Sequence, residues 1–125
     1  MYKLGLTCIN LNLAMPESSA PLLVLCTCPD LACAEQLAHQ VVAARLAACV
    51  NIIPDLQSIY HWQGQREQSR ELLLLLKTTE ARYPALEQAL RQQHPYQVPE
   101  IIALPIVQGF ESYLTWLQTH TQPEA

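Results

Sequence analysis

The stretch HPYQVPEII, residues 94–102, marks a change from one local structure to another. Apolar residues before it recur at helical spacing, and His94 continues their row. Pro95 strongly disfavours the α conformation at the residue before it, so the helix is predicted to end there. A β-branched run follows, from Val98 to Ile106, and its prolines suit a strand at the edge of a sheet. The stretch therefore predicts a helix-to-strand corner.

Upstream of this corner, the sequence predicts two strands and a helix, followed by a return strand. The apolar run 22–28 is typical of a strand buried on both faces. Asp30 is a suitable N-cap for a helix that should end near Arg45. A second strand is predicted from Cys49, and residues 63–65 mark the turn of a long hairpin. Its return strand should run from about Glu67 to Thr78.

The remaining elements are two helices and the edge strand between them. Thr78 or Thr79 is expected to cap the second helix, in which Pro84 fits only near the first turn. Its predicted core-facing row is Tyr83, Leu86, Leu90 and His94. The last helix should follow Gly109 and is expected to present Phe110, Tyr113, Leu114 and Leu117 on one face. The fold class is therefore α+β, with a ferredoxin-like β-α-β-β-α-β antiparallel sheet and a C-terminal helix.

Composition restricts the kinds of partner. Half of the residues are hydrophobic and only 14% are charged, so some apolar surface is expected to lie in an oligomer interface. The net charge of −4, with seven scattered basic residues, argues against a nucleic-acid partner. No stretch is long enough to predict a membrane span. The five cysteines, Cys8, Cys26, Cys28, Cys33 and Cys49, lack a disulfide-scaffold spacing, which predicts free thiols and a cytoplasmic location.

Four stretches carry a resemblance to a known family: HPYQVPEII (94–102), RLAACVNIIP (45–54), SIYHWQG (58–64) and YLTWL (113–117). From about Pro21 to Leu117, the chain resembles the CutA family of divalent-cation tolerance proteins. The resemblance implies the same fold, assembled as a homotrimer whose long hairpins pair with neighbouring subunits. We accordingly expect a domain at 21–120, a disordered N-terminal extension at 1–20 and a tail at 121–125. Met15, just before a polar segment, suggests that translation begins further along than Met1.

The predicted topology also suggests a metal site. The end of the first strand must meet the start of the fourth, which brings Cys26 and Cys28 toward His94 and Tyr96. The hairpin tip near Trp62 should emerge at the same end of the sheet. A thiolate and an imidazole suit copper or zinc, and a second thiol favours copper(I).

The resemblance implies a copper site made by a cysteine at position 26 and two consecutive histidines before the proline. Here Gln93 replaces the first histidine and only His94 remains. Cys28, water or a neighbouring subunit would have to supply the missing ligand.

Structural roles for the same residues stay open. Cys26 is equally explained as a core residue. His94 is alternatively explained as a residue at the C-terminus of the helix that bonds its last carbonyls. Other residues are predicted to line a cleft or contact a neighbouring subunit: Cys28, Tyr60, Trp62, Lys77, Tyr96, Glu100 and Trp116. Lys77 and Glu100 are alternatively a structural ion pair.

The sequence contains no glycine-rich phosphate loop and no Ser-His-Asp motif, so an enzyme is not expected. The predicted function is that of a cytoplasmic, trimeric CutA-like protein that binds copper or other divalent ions in the response to metal ions. An alternative is a small-molecule sensor that uses inter-subunit clefts, as trimeric PII and ACT-like proteins do. A third is a scaffold with no ligand.

Overall fold

The computed structural model describes residues 19–123, which form one four-stranded sheet and three helices. The elements in chain order are β1 (Pro21–Cys28), α1 (Leu31–Ala43), β2 (Cys49–Trp62), β3 (Gln65–Thr79), α2 (Tyr83–Gln93), β4 (Ile101–Pro105) and α3 (Glu111–Thr119). The strand order is β2-β3-β1-β4, and every neighbouring pair is antiparallel. The predicted α+β ferredoxin-like fold is confirmed, including the edge position of β4.

The two faces of the sheet differ because side chains alternate along a strand. Val24, Cys26, Cys28, Leu74 and Leu76 are fully buried and form a core with apolar residues of α1 and α2. We call this side of the sheet the helix face. Strand pairing places the intervening residues on the opposite, open face, where one row joins Leu75, Leu25 and Ile102.

A β-bulge at Pro54 and Asp55 divides β2. Ile53 pairs with Leu73, but Leu56 pairs with Glu71, so two residues of β2 oppose one of β3. Asp55 takes a φ of 64°, and the strand continues to the hairpin tip. The tip is the predicted turn, with φ of 52° at Gln63 and 78° at Gly64, as a two-residue type I′ turn requires.

The predicted cap of α2 is wrong. Thr78 and Thr79 complete β3, where they pair with the start of β1, and the Thr78 hydroxyl donates to the Leu46 carbonyl at 2.7 Å. α2 begins later, after Arg82, which makes no side-chain cap, and Pro84 lies in its first turn as predicted. Threonine favours both strands and caps, and here strand pairing decides its role.

Two other boundaries differ from the sequence-based expectation. β4 begins at Ile101 and not at Val98, so residues 94–100 form a connecting loop with Pro95 and Pro99. Phe110 was expected on one face of the last helix together with Leu117, but it is the N-cap of α3 and is 76% exposed. Within α3, Leu117 is the residue that is fully buried.

Both ends of the described region contact the domain. The predicted N-terminal extension lies outside the described residues except for Ser19 and Ala20, which accept hydrogen bonds from Gln118 and Glu80. At the other end, Thr121 is buried and Arg45 donates to the Gln122 carbonyl at 2.6 Å. Within residues 19–123, no helix is both long and apolar enough for a transmembrane span.

Asp30 provides a test of local stability. Its carboxylate accepts a hydrogen bond from the Cys33 amide at 2.8 Å and so caps α1, as the sequence predicts. We expect Asp30→Ala to lower the free energy of unfolding by about 1 kcal/mol, because one N–H at the helix start loses its acceptor. Urea unfolding followed by circular dichroism would measure it. Asp30→Asn, which keeps a capping oxygen, is the control, and equal losses in both variants would contradict this role.

Candidate metal centre

The end of β1 and the C-terminus of α2 bring two thiols and an imidazole together. Cys26 and Cys28 are two residues apart on β1 and therefore project to the same face of the sheet. His94 is the C-cap of α2, where Pro95 ends the helix. All three side chains are buried, and their ligand atoms lie within 4.8 Å of one another. This is the only such group of three or more metal-ligating side chains in residues 19–123.

Hydrogen bonds fix the orientation of the His94 ring. Its Nε2 lies 2.7 Å from the Thr27 carbonyl oxygen, which can only accept, so Nε2 carries a proton. The Tyr96 amide donates to Nδ1 at 3.1 Å, so Nδ1 carries no proton. The His94 ring thus joins α2 to β1, whereas the structural alternative had it bond the last carbonyls of α2. Only the His94 backbone amide does so, donating to the Leu90 carbonyl at 3.0 Å.

The thiols of Cys26 and Cys28 are buried, and Cys33 is a partly buried thiol nearby. A hydrogen bond to the Cys26 thiol, followed by burial, raises the pKa of Cys28 far above its usual range. Burial, followed by the charge of Cys28, raises the pKa of Cys33 to about 11. Cys33 packs against the core cluster that contains Cys26 and Cys28. No ligand role was expected for Cys33 from the sequence, although the N-cap of α1, Asp30, lies two residues after Cys28 and places Cys33 nearby.

The structure separates the other candidate residues into two groups. Tyr60, Trp62, Tyr96 and Glu100 line one cavity beside the metal-ligating group. Gln93 is the last residue of α2 and is exposed.

Lys77 and Trp116 do not line this cavity, and Lys77 lies at the opposite end of the sheet. Lys77 pairs with Leu23 near the start of β1, and its ammonium group donates to the Asn51 side chain and contacts the Cys49 thiol. The proposed ion pair between Lys77 and Glu100 is therefore wrong, because the two residues are at different ends of the sheet. Trp116 stacks between Tyr113 and His120, with ring centroids 5.5 and 4.8 Å away.

One contact near the centre was not foreseen from the sequence. The Tyr96 hydroxyl donates to Glu71 Oε2 at 2.6 Å, although 25 residues separate the two. Burial, followed by this hydrogen bond, raises the pKa of the Tyr96 hydroxyl above its usual range, so it remains a donor. Glu71 is itself buried. Tyr96 therefore links the loop after α2 to β3, beside the imidazole and the two thiols of the candidate centre.

Comparison with known proteins assigns the family. The model of the CutA1 divalent ion tolerance protein family matches residues 22–120. The chain belongs to the CutA family. It is 51% identical over 98 residues to the divalent-cation tolerance protein CutA of Thermus thermophilus, covering 78% of this chain and 95% of the relative. The CutA protein of Escherichia coli O139:H28 is 46% identical over 101 residues, with coverage of 81% and 90%.

Solved structures of CutA proteins have the same fold. The T. thermophilus protein superposes with a TM-score of 0.80 at 49% identity, covering 82% of this chain and 99% of that one. CutA1 from Oryza sativa gives 0.81 at 38% identity, with coverage of 86% and 98%. The names of these relatives describe tolerance of divalent cations and not an enzymatic reaction. A relation to divalent metal ions is therefore a property of the family to which this chain belongs.

Proposed function

We propose that the chain acts as a cytoplasmic homotrimer that binds copper or another divalent metal ion through Cys26, Cys28 and His94 in the response to metal ions. The observation that carries this proposal is the convergence of two thiols and an imidazole within 4.8 Å. Sulfur and imidazole nitrogen are the donors that copper and zinc prefer. Cys28 would supply the donor that Gln93 cannot.

The donor set fits a metal ion with two local adjustments. Metal–sulfur and metal–nitrogen bonds are about 2.0–2.3 Å long, so ligand atoms up to 4.8 Å apart must draw closer. His94 must also exchange one of its two ring hydrogen bonds for the metal. Both thiols must lose their protons, as thiolate ligation requires. Two thiolates and one imidazole would then favour a soft ion such as copper(I) over magnesium or calcium.

The homotrimer is supported by the open face of the sheet. Ile53, Ile102 and Leu104 are 44%, 50% and 43% exposed in the single chain, and strand pairing places them on this face. Several exposed apolar side chains on one face of a sheet are typical of an oligomer interface. The cytoplasmic location is supported by Cys26, Cys28, Cys33 and Cys49, the four cysteines among the described residues, which are free thiols.

Titration of the reduced protein with copper(I) and with zinc tests metal binding. We expect saturable binding with one ion per chain and copper(I)–thiolate absorption. Cys28→Ala and His94→Gln should each lower the affinity by about tenfold or more, because each removes a donor. Cys49→Ala is the matched control, since this thiol lies beside Lys77 at the other end of the sheet.

Folding must be separated from binding in this experiment, because the proposed ligands are buried in the core. Circular dichroism and the midpoint of thermal unfolding in the absence of metal should accompany every titration. A folded Cys28→Ala variant with wild-type copper affinity would contradict the proposed ligand set. Binding that is lost only in Cys49→Ala would place the site elsewhere.

A further inference from the structure

The three proposed metal ligands are all buried, so an ion needs a route to them. Cys26 and Cys28 are fully buried, and His94 is 8% exposed. A metal site without contact to solvent requires an entry path through neighbouring groups. Such a path controls how fast an ion enters and leaves, whereas the ligands themselves determine the affinity. The residues around the centre therefore decide the kinetics of metal exchange.

Cys33 is a partly exposed thiol beside this centre. It lies in the first turn of α1, where its amide donates to the Asp30 carboxylate at 2.8 Å, so the cap holds the backbone at this position. The Cys28 thiol is hydrogen-bonded to the thiols of both Cys26 and Cys33. The three sulfur atoms thus form a continuous series that leads from the partly exposed Cys33 to the fully buried Cys26.

The position and charge of Cys33 suit a passing contact with a cation. The group of three ligands with atoms within 4.8 Å of one another does not include Cys33. The negative charge of Asp30, which is exposed, acts on the Cys33 thiol and attracts a cation to this end of the series. Cys49 is also a partly buried thiol, but it lies 3.8 Å from the Lys77 ammonium, which repels cations.

We propose that Cys33 is the entry thiol of the metal centre, through which a soft ion such as copper(I) passes to Cys28. This inference rests on the metal function proposed above. Cys33 binds the ion first and releases its proton to water. Cys28 then bonds to the ion and gives its own proton to Cys33, whose bond to the ion breaks. Cys26 releases a second proton as it and His94 complete the coordination, and no electron is transferred.

An entry thiol has a kinetic signature that separates it from a resident ligand. It is absent from the final coordination, so its removal raises the barrier and leaves the free energies of the free and loaded protein unchanged. Uptake and release should then slow by the same factor, and Kd should stay the same. Removal of a resident ligand instead weakens the affinity. A structural role alone would change the midpoint of thermal unfolding without this paired effect on the two rates.

Stopped-flow transfer of copper(I) measures both rates. For uptake, the reduced full chain is mixed with the copper(I)–bicinchoninate complex, whose colour is lost on transfer. For release, the loaded protein is mixed with excess bicinchoninate. We expect Cys33→Ala to slow both directions by about tenfold or more, with Kd unchanged within about twofold. Cys49→Ala is the matched control and should leave both rates as in the wild type.

Cys33→Ser provides a second variant if Cys33→Ala does not fold, because it keeps the size of the side chain but replaces a soft donor with a hard one. It should slow both rates in the same way. Folded Cys33 variants with wild-type rates would overturn the entry role and leave the proposed ligand set intact. A loss of affinity with unchanged uptake would also overturn it, since Cys33 would then be a resident ligand. A wild-type protein that takes up no copper(I) would overturn the proposed function as well.

Discussion

Leu74→Asp is expected to abolish the cooperative unfolding transition. Leu74 is fully buried on the helix face of the central strand β3, and its strand partners are Cys26 and Ile52. Removing a buried leucine side chain costs about 2–5 kcal/mol, and the aspartate adds an unpaired buried charge. The sum is comparable with the whole stability of a small domain, about 5–15 kcal/mol.

Thermal unfolding followed by near-ultraviolet circular dichroism would measure this loss. Leu74→Met, which nearly conserves the volume, is the control and should cost less than about 1.5 kcal/mol. A folded Leu74→Asp protein with a wild-type transition would show that this position is not in the core. Leu74 belongs to the return strand of the long hairpin, which is expected from the family resemblance to pair with neighbouring subunits. Its position on the helix face makes it a test of folding instead.

Leu104→Asp applies the same chemical change to the other face of the sheet, and there we expect dissociation without unfolding. Leu104 is 43% exposed in the single chain, and it pairs with Leu23 on the open face. In the proposed trimer, the introduced carboxylates would be buried near an interface, at a cost of several kcal/mol. In the monomer the carboxylate remains in water, so the fold should be retained.

Light scattering coupled to size exclusion would distinguish the two species, with wild type and Leu104→Met as trimers and Leu104→Asp as a monomer. Ile102→Asp, at the neighbouring exposed position of the same face, should act likewise. A wild-type protein that is monomeric at micromolar concentration would refute the trimer. A Leu104→Asp protein that remains trimeric would place the interface on another surface.

The convergence of the candidate ligands follows from topology and could be predicted. Once β1 and β4 are known to be antiparallel neighbours, the end of β1 must meet the loop before β4. Pro95 ends the helix at this point and so fixes the position of His94. The family resemblance supplied the ligand types, but it did not identify the third donor, since Gln93 stands where a histidine was expected. Placing Cys28 in that role required the side-chain positions on β1.

The contact between Tyr96 and Glu71 was beyond sequence reasoning for a different reason. Glu71 lies one residue before Leu72, the β3 residue paired with the last residue of β1, and Tyr96 lies in the loop after α2. The contact therefore depends on where that loop lies against β3, which the short polar pattern around Glu71 does not encode. The prediction that Thr78 or Thr79 caps α2 was wrong for a similar reason. Threonine favours both strands and helix caps, and pairing with β1 selected the strand. Sequence therefore predicted the elements and their order better than the contacts between distant segments.

The most direct test of the metal-binding account is X-ray absorption at the copper edge of protein loaded with one copper(I) per chain. The account predicts sulfur scatterers from Cys26 and Cys28, and one imidazole nitrogen from His94. In Cys28→Ala, the sulfur contribution should fall by half, whereas Cys49→Ala should leave the spectrum unchanged. A coordination sphere of nitrogen and oxygen alone, or one unchanged by Cys28→Ala, would contradict the proposed centre.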